Sequence, residues 1–525
     1  MRLCVSVTVF SLWALPVVAQ SGHDWSTRDR VVIGDFTRIT SIAAAQDRVY
    51  ATSPTSLVIW NPQFRQWDAP ITPEDPTLLE RVFTALIDPL DNSLWLGRVD
   101  GWVHFQPSIE LWDRGQVAGG VQEIAFDMDQ PIAGLFIRSG GNWLLVPRGG
   151  VTAIPTQPPT HPIKPATIQD AIAANPVLQA NGAQILMDNQ LAIARFTAAA
   201  RSFDGLGWYL GTWGVGPLFL SDGAALPQRL TFGLPGQVAG ALYMAPGGVW
   251  ASTDQTTSQR AGLAFVASDL SDFTWIQGKS GFGLPFGSVR RIVGLEQNLW
   301  AATDAGAARI NPESGQVDLI DQGRGLMDNR VFTVATRRGL LAAGTAHGLA
   351  LISEAGAVER VAPGYADAVF AIAFSAQADT LWVGTPRGLR AAVRGQNDLS
   401  LPTELETAAA LGEPVIALAW SGDTLMGITE DRLIWRDNRL KSWWLGPTIS
   451  ASLGRLRGFA AAQGGVWIAG EQAVGFVPFN AMPVRLLRFP ADLPGRPFDV
   501  TVDDDYLWIS TDQGLVRFRL DAVRP

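Results

Sequence analysis

Short apolar runs rich in β-branched and aromatic residues, such as Val331-Phe332-Thr333-Val334-Ala335 and Val369-Phe370-Ala371-Ile372-Ala373, recur along the chain between glycine-bearing turns. Behind each comes a copy of one phrase. Leu94-Trp95-Leu96-Gly97, Leu299-Trp300-Ala301-Ala302-Thr303, Leu381-Trp382-Val383-Gly384-Thr385 and Leu507-Trp508-Ile509-Ser510-Thr511 share the consensus Leu-Trp-x-Gly-Thr-x-x-Gly-Leu. Weaker copies fall in step around Tyr50, Phe136, Tyr209, Trp250, Ala342, Met426 and Trp467. The count is about eleven units at steps of roughly 40 to 45 residues, the length of a four-stranded propeller blade. A further strand follows each phrase, as in Gly388-Leu389-Arg390, and then often a Trp-bearing one, as in Phe273-Thr274-Trp275 or Trp443-Trp444. Because the Trp and Leu recur at one register, they are expected to pack neighbouring blades against each other rather than to bind a ligand. The Gly-Thr pair is expected to end a strand, and the later glycine to supply a tight turn with φ > 0.

The predicted fold is therefore an all-β β-propeller. About eleven blades exceed the usual four to eight around one axis, so two propellers in tandem are expected. The division is placed near Gly283, with a first propeller over 20–283 and a second over 284–525, about five or six blades each. The longest interruption, a Pro-rich and helical insertion at about 152–190, holds a linker from Pro155 to Pro165. Ala166 to Ala174 follows as a short helix stopped by Pro176, with room for a hidden strand or a cap on a ring face.

Composition narrows the function. The chain has 525 residues, 47% hydrophobic and 17% charged, with 54 Gly and 33 Pro, which suits a globular array of short elements. A net charge of −9 argues against nucleic acid, whose recognition needs a basic face. The cationic side chains are nearly all arginine, Lys164, Lys279 and Lys441 being the lysines. Met1-Arg2, an apolar run from Leu3 to Val18 and Val17-Val18-Ala19 have the form of a secretory signal over 1–19, cleaved after Ala19. The sole cysteine, Cys4, lies within it, so the mature chain is expected to lack disulfides and thiolate sites. A periplasmic or secreted protein without an integral membrane segment is expected.

Candidate chemistry is sparse. His23, His104, His161 and His347 show no metal-site spacing, and no metal or other cofactor is expected. Asp503-Asp504-Asp505 and Asp88 with Asp91-Asn92 could hold Ca²⁺, but solvated turns are the preferred reading. No nucleophile elbow, phosphate loop or dinucleotide fingerprint occurs. Turns joining the second and third strands of each blade are the expected ligand face. They carry Arg98 and Asp100, Trp213, Asp304, His347, Arg387, and Asp512 with Gln513. Trp213, between Gly211-Thr212 and Gly214, leads this set because an exposed aromatic can stack on a sugar or peptide; its alternative is a packed rim residue.

The repeated Trp-x-Gly-Thr followed by Gly-Leu resembles the two-component regulator propeller repeat of periplasmic ligand-binding sensor domains, over most of the mature chain. Trp25, with Asp47-Arg48-Val49-Tyr50-Ala51, is more loosely similar to the start of the propeller component of the type IX secretion system. Leu520 is expected to close the last blade, so the resemblance implies signalling through a partner rather than through a kinase of its own. The leading expectation is an exported, non-catalytic sensor-type or protein-interaction module that binds a protein partner, glycan or peptide. One alternative is a carbohydrate hydrolase or lyase, which needs two carboxylates, or a carboxylate and a histidine, converging in a central cavity. The other is a secretion-associated scaffold in an envelope complex, with a large exposed apolar patch.

Overall fold

The computed structural model describes residues 25–180, 185–253, 262–277, 284–361, 366–375, 380–393, 399–400, 412–437, 442–479 and 481–524. These form eleven antiparallel sheets, nine of four strands and two of five, in the propeller arrangement the repeat predicts. Each Trp phrase is the second strand of its sheet, as in Leu94–Arg98, Asn298–Thr303, Thr380–Thr385 and Tyr506–Thr511. Successive strand residues point to opposite faces. Yet Leu94, Trp95, Leu507 and Trp508 are all at most 2% exposed. A sheet buried on both faces has a neighbour on each side, which stacks the sheets radially.

The Thr-x-x-Gly part of the phrase locks the turn into the third strand. The hydroxyls of Thr303, Thr345, Thr385 and Thr511 donate to the carbonyl of the glycine three residues on, at 2.7, 3.0, 2.8 and 2.8 Å. The same oxygens accept the N–H groups of Ala305, His347, Arg387 and Gln513. Gly514 needs its freedom twice over: its φ is +115°, and a Cβ there would stand 2.5 Å from the Ile33 carbonyl oxygen. The two residues between threonine and glycine are held outside the ladder.

Inner strands decide ring membership. Ala239–Ala245 packs beside Val289–Leu295, and the series runs on through Val331–Arg337, Ala371–Phe374, Val415–Ser421, Leu456–Ala462 and Pro497–Val502. Pro497–Val502 packs in turn beside Ala239–Ala245, so seven sheets close one ring. The inner strands Ser41–Ala44, Val82–Ile87, Glu123–Asp127 and Ile193–Arg201 of the other four sheets surround a second axis.

The division expected between 20–283 and 284–525 is thereby displaced. Gly283 lies outside the described residues, but the inner strands before and after it, Ala239–Ala245 and Val289–Leu295, are ring neighbours. The partition is four sheets and seven, not five or six on each side. The cause is the closing strand: Arg30–Ile33 pairs with Gly514–Arg519 as the outermost strand of the last sheet. The chain starts in the seven-sheet ring, leaves to build the four-sheet ring, and returns. Repeat spacing counts units but carries no mark of which inner strands become neighbours.

The segment at about 152–190 holds more strand than its proline content suggests. Ile154–Thr156 completes the third sheet, Pro162–Ile163 adds an edge beside Glu123–Asp127, and Ile185–Met187 adds one beside Ile193–Arg201. Between them stands the helix Ile168–Ala174, started by a reciprocal capping box of Thr167 and Asp170. The chain crosses between rings at 34–40 and again at 230–238, and the crossings hydrogen bond, Leu234 N–H donating to Gly34 at 2.9 Å. Phe232 sits among Phe36, Trp67 and Phe273, with ring centroids 5.1, 4.4 and 4.6 Å away. This aromatic cluster joins the two rings into one core.

Where the first and last sheets of the seven-sheet ring meet, the seam is polar. Asp499 Oδ2 accepts the Leu242 N–H at 3.0 Å and Oδ1 accepts the Val500 N–H at 2.9 Å. The carboxylate fits because residue 458 is glycine: a Cβ there would stand 2.4 Å from Oδ1. Two predictions follow from the closure. Ile33→Ala, at a position with 0% exposure, should lower the free energy of urea unfolding by about 2–5 kcal/mol. Ile154→Ala, at a position 47% exposed, should lower it by less than about 0.5 kcal/mol, so equal losses would contradict the closing role of the first strand. Gly458→Ala should cost about 1–3 kcal/mol, and much less in an Asp499→Ala background; additive losses in that cycle would place the strain elsewhere.

Candidate functional site

In six of the seven sheets of the larger ring the inner strand slips register near its first residues. A bulge leaves one residue out of the ladder and re-aims its side chain. The residues so released include Arg290, Phe332, Ile416, Arg457 and Phe498; Phe370 stands at the matching place before Ala371–Phe374. All six line an axial cavity of about 670 Å³, a volume in the range of small-molecule sites. They form a collar at its mouth. Phe332 and Phe370 meet edge to face with centroids 5.4 Å apart. The Arg290 guanidinium lies 5.2 Å from the Phe332 ring and that of Arg457 lies 4.8 Å from Phe498. Below the collar the wall mixes apolar residues such as Val334, Ile372, Phe374 and Trp420 with polar ones, Ser252, Thr253, Thr333 and Thr336 among them.

Charge in this cavity is one-sided. Its lining contains Arg290, Arg291, Arg337 and Arg457 against a single carboxylate, Asp499. Asp499 keeps accessible surface because it faces the cavity, but protein surrounds it, and burial pushes its carboxyl above the usual range against the pull of Arg291. Among the described residues Arg291 makes no ion pair within 4.0 Å and no side-chain hydrogen bond.

The residues singled out from the sequence fall on both rings. Asp304, His347, Arg387, Asp512 and Gln513 occupy second-to-third-strand turns of the seven-sheet ring. In an antiparallel meander those turns share a face with the entries to the inner strands, so these residues encircle the collar. Neighbours engage them: Asp304 pairs with Arg290 at 2.7 Å, His347 Nδ1 hydrogen bonds with Asp328 at 2.7 Å, and Arg387 pairs with Asp367 at 3.3 Å. Asp512 accepts the Arg496 backbone N–H at 2.9 Å, and Gln513 bonds Gln237. Arg98, Asp100 and Trp213 belong to the four-sheet ring. Arg98 pairs with Asp100 at 3.0 Å and holds that carboxyl below its usual range. Trp213 is 47% exposed beside the crossing at 34–40, with the Arg38 guanidinium 5.7 Å from its ring. The turns thus supply a rim of paired charges, and the collar inside it went unnoticed in the sequence. Its signal was the apolar or basic residue second in each inner strand, as in Val331-Phe332-Thr333 and Leu456-Arg457-Gly458.

The four-sheet ring holds a second cavity of about 640 Å³, walled by its inner strands and by 164–170. Its carboxylates are committed: Glu123 pairs with Lys164 and with Arg138, and Asp170 caps the helix. Among the described residues no group of three or more His, Cys, Asp or Glu is placed to hold a metal ion. Asp88 instead forms a buried ion pair with Arg148 at 2.6 Å, and Asp503 Oδ1 accepts turn N–H groups of Asp505 and Tyr506. Among the described residues no helix is long and apolar enough to cross a membrane.

No known family model matches the chain, and no curated protein does. Solved structures do. The extracellular domain of the putative hybrid two-component system BT3049 from B. thetaiotaomicron is 14% identical, with a TM-score of 0.44, over 92% of this chain and 68% of that one. That of BT4673 from the same organism is 12% identical, with a TM-score of 0.43, over 92% and 70%. PorZ, a surface component of the type IX secretion system of Porphyromonas gingivalis, is 13% identical, with a TM-score of 0.40, over 92% and 69%.

Proposed function

We propose that the protein is an exported, non-catalytic propeller module of sensor or interaction type, and that it takes its ligand at the axial mouth of the seven-sheet ring. The observation that carries this reading is the collar: bulged inner strands aim phenyl rings and guanidinium groups into one cavity of about 670 Å³. A rigid ring with variable side chains at its mouth is suited to recognition. Export rests on the signal-like segment at 1–19, which lies outside the described residues. The binding reading is supported by the cavity lining, in which the described residues set four arginines and three phenylalanine rings of the collar around a single carboxylate. Signalling or assembly would then run through a partner that senses the occupied ring.

The test is retention of a component from the organism's own envelope extract by the mature chain, read by mass spectrometry after gel filtration. A Phe332→Ala, Phe370→Ala double variant is expected to lose that component by about tenfold or more, and Trp213→Ala to keep it. The reverse pattern would move the site to the four-sheet ring. Robust turnover of a glycan by the purified protein would overturn the non-catalytic reading.

A further inference from the structure

We propose that the occupant of the seven-sheet cavity is a small organic anion with a planar apolar body, of the aromatic carboxylate class; this rests on the axial mouth being the ligand site. Four guanidinium groups against one carboxylate stand in the lining of a chain whose formal charge is −9, so the cavity runs against the charge of the whole molecule. Three of the four have interactions of their own, Arg337 among them, with Arg290 committed in part to Asp304 at 2.7 Å and Arg457 to Glu471 at 3.1 Å. Both pairs stand at the rim, where they keep the guanidinium planes against Phe332 and Phe498. Arg291 is different. It is half-buried one residue deeper than Arg290, and among the described residues it has no ion pair and no side-chain hydrogen bond. Asp499 acts on this guanidinium electrostatically but does not hydrogen bond it, and a ligand carboxylate is a group that satisfies the guanidinium fork in two contacts.

The rest of the collar specifies the body of the ligand. Phe332, Phe370 and Phe498 offer ring faces and edges around the mouth, and Ile416 fills the same level. Such a surface gives nothing to a hydrated inorganic anion, whose desolvation it would not repay, but it stacks on a flat apolar group. The cavity's volume of about 670 Å³ takes a two-ring molecule with room to spare.

The probes are 2-naphthoate, the neutral 2-naphthalenemethanol and inorganic phosphate, titrated into the mature chain by calorimetry and by the fluorescence of Trp420, which lines the cavity floor. The expected result is saturable binding of 2-naphthoate, weaker by about tenfold or more for the alcohol and for phosphate. Arg291→Met should weaken 2-naphthoate by a similar factor and Arg291→Lys by less, with thermal melting midpoints unchanged as the check on folding. No binding of 2-naphthoate, equal binding of phosphate, or binding indifferent to Arg291→Met would overturn the proposal. Equal binding of acid and alcohol, both lost in Phe332→Ala, would overturn the anion while leaving the axial mouth as the ligand site. Absence of all binding, together with loss of the envelope component in Trp213→Ala, would remove both.

Discussion

Arg30–Ile33, the first strand of the described chain, hydrogen bonds to Gly514–Arg519 as the outermost strand of the last sheet, so one sheet of the seven-sheet ring is built from both ends of the described chain. A ring of sheets has no free edge between blades only while every inner strand has two neighbours. Here Pro497–Val502 must find Ala239–Ala245, more than 200 residues earlier in the chain. The first strand anchors the last sheet, and the Asp499 carboxylate spans the seam to the Leu242 N–H. The collar lies at the top of these same inner strands, so its geometry inherits whatever holds the ring closed.

Closing the larger ring with the first strand forces the four-sheet ring to be an excursion. Two crossings must then pass between the rings, and they are braced against one another through backbone hydrogen bonds and the ring contacts of Phe36, Trp67, Phe232 and Phe273. The buried ion pair of Arg229 and Asp188 stands at the foot of the return crossing, with Arg229 also reaching Gln277. These contacts join the rings as neighbouring parts of one core.

Across the seven-sheet ring, one frame recurs with variations and supports different chemistry. The threonine lock and its glycine fix the turn, the buried Trp and Leu fix the stacking, and the register slip near the start of the inner strand frees a side chain toward the axis. Repetition makes the frame rigid. Divergence at the freed position makes the mouth: arginine in two sheets, phenylalanine in three and isoleucine in one. The rim outside it spends its charges on ion pairs, which limits those residues as ligand contacts while holding the arginines of the collar in place.

The repeat phrase was enough to give the sheet as the unit, because Leu-Trp-x-Gly-Thr-x-x-Gly-Leu is itself the second strand and its locked turn, a structure made by residues close in sequence. The same locality placed Asp304, His347, Arg387, Asp512 and Gln513 on turns of one face, and made the helix after Pro165 legible from its stop at Pro176. Ring membership was not legible. Sheets of similar sequence offer each other similar faces, so local pattern cannot say that Val289–Leu295 continues the ring begun by Ala239–Ala245 rather than starting another. Nor could it show that Trp213 would stand by the crossing instead of at an axis. The candidate site went unseen for the same reason: Arg290, Phe332, Phe370, Arg457 and Phe498 come from five sheets, and each alone looks like an ordinary strand residue. Sequence determined what each blade is, through contacts within about forty residues; tertiary structure decided which side chains converge, because convergence at an axis depends on ring closure across the whole chain.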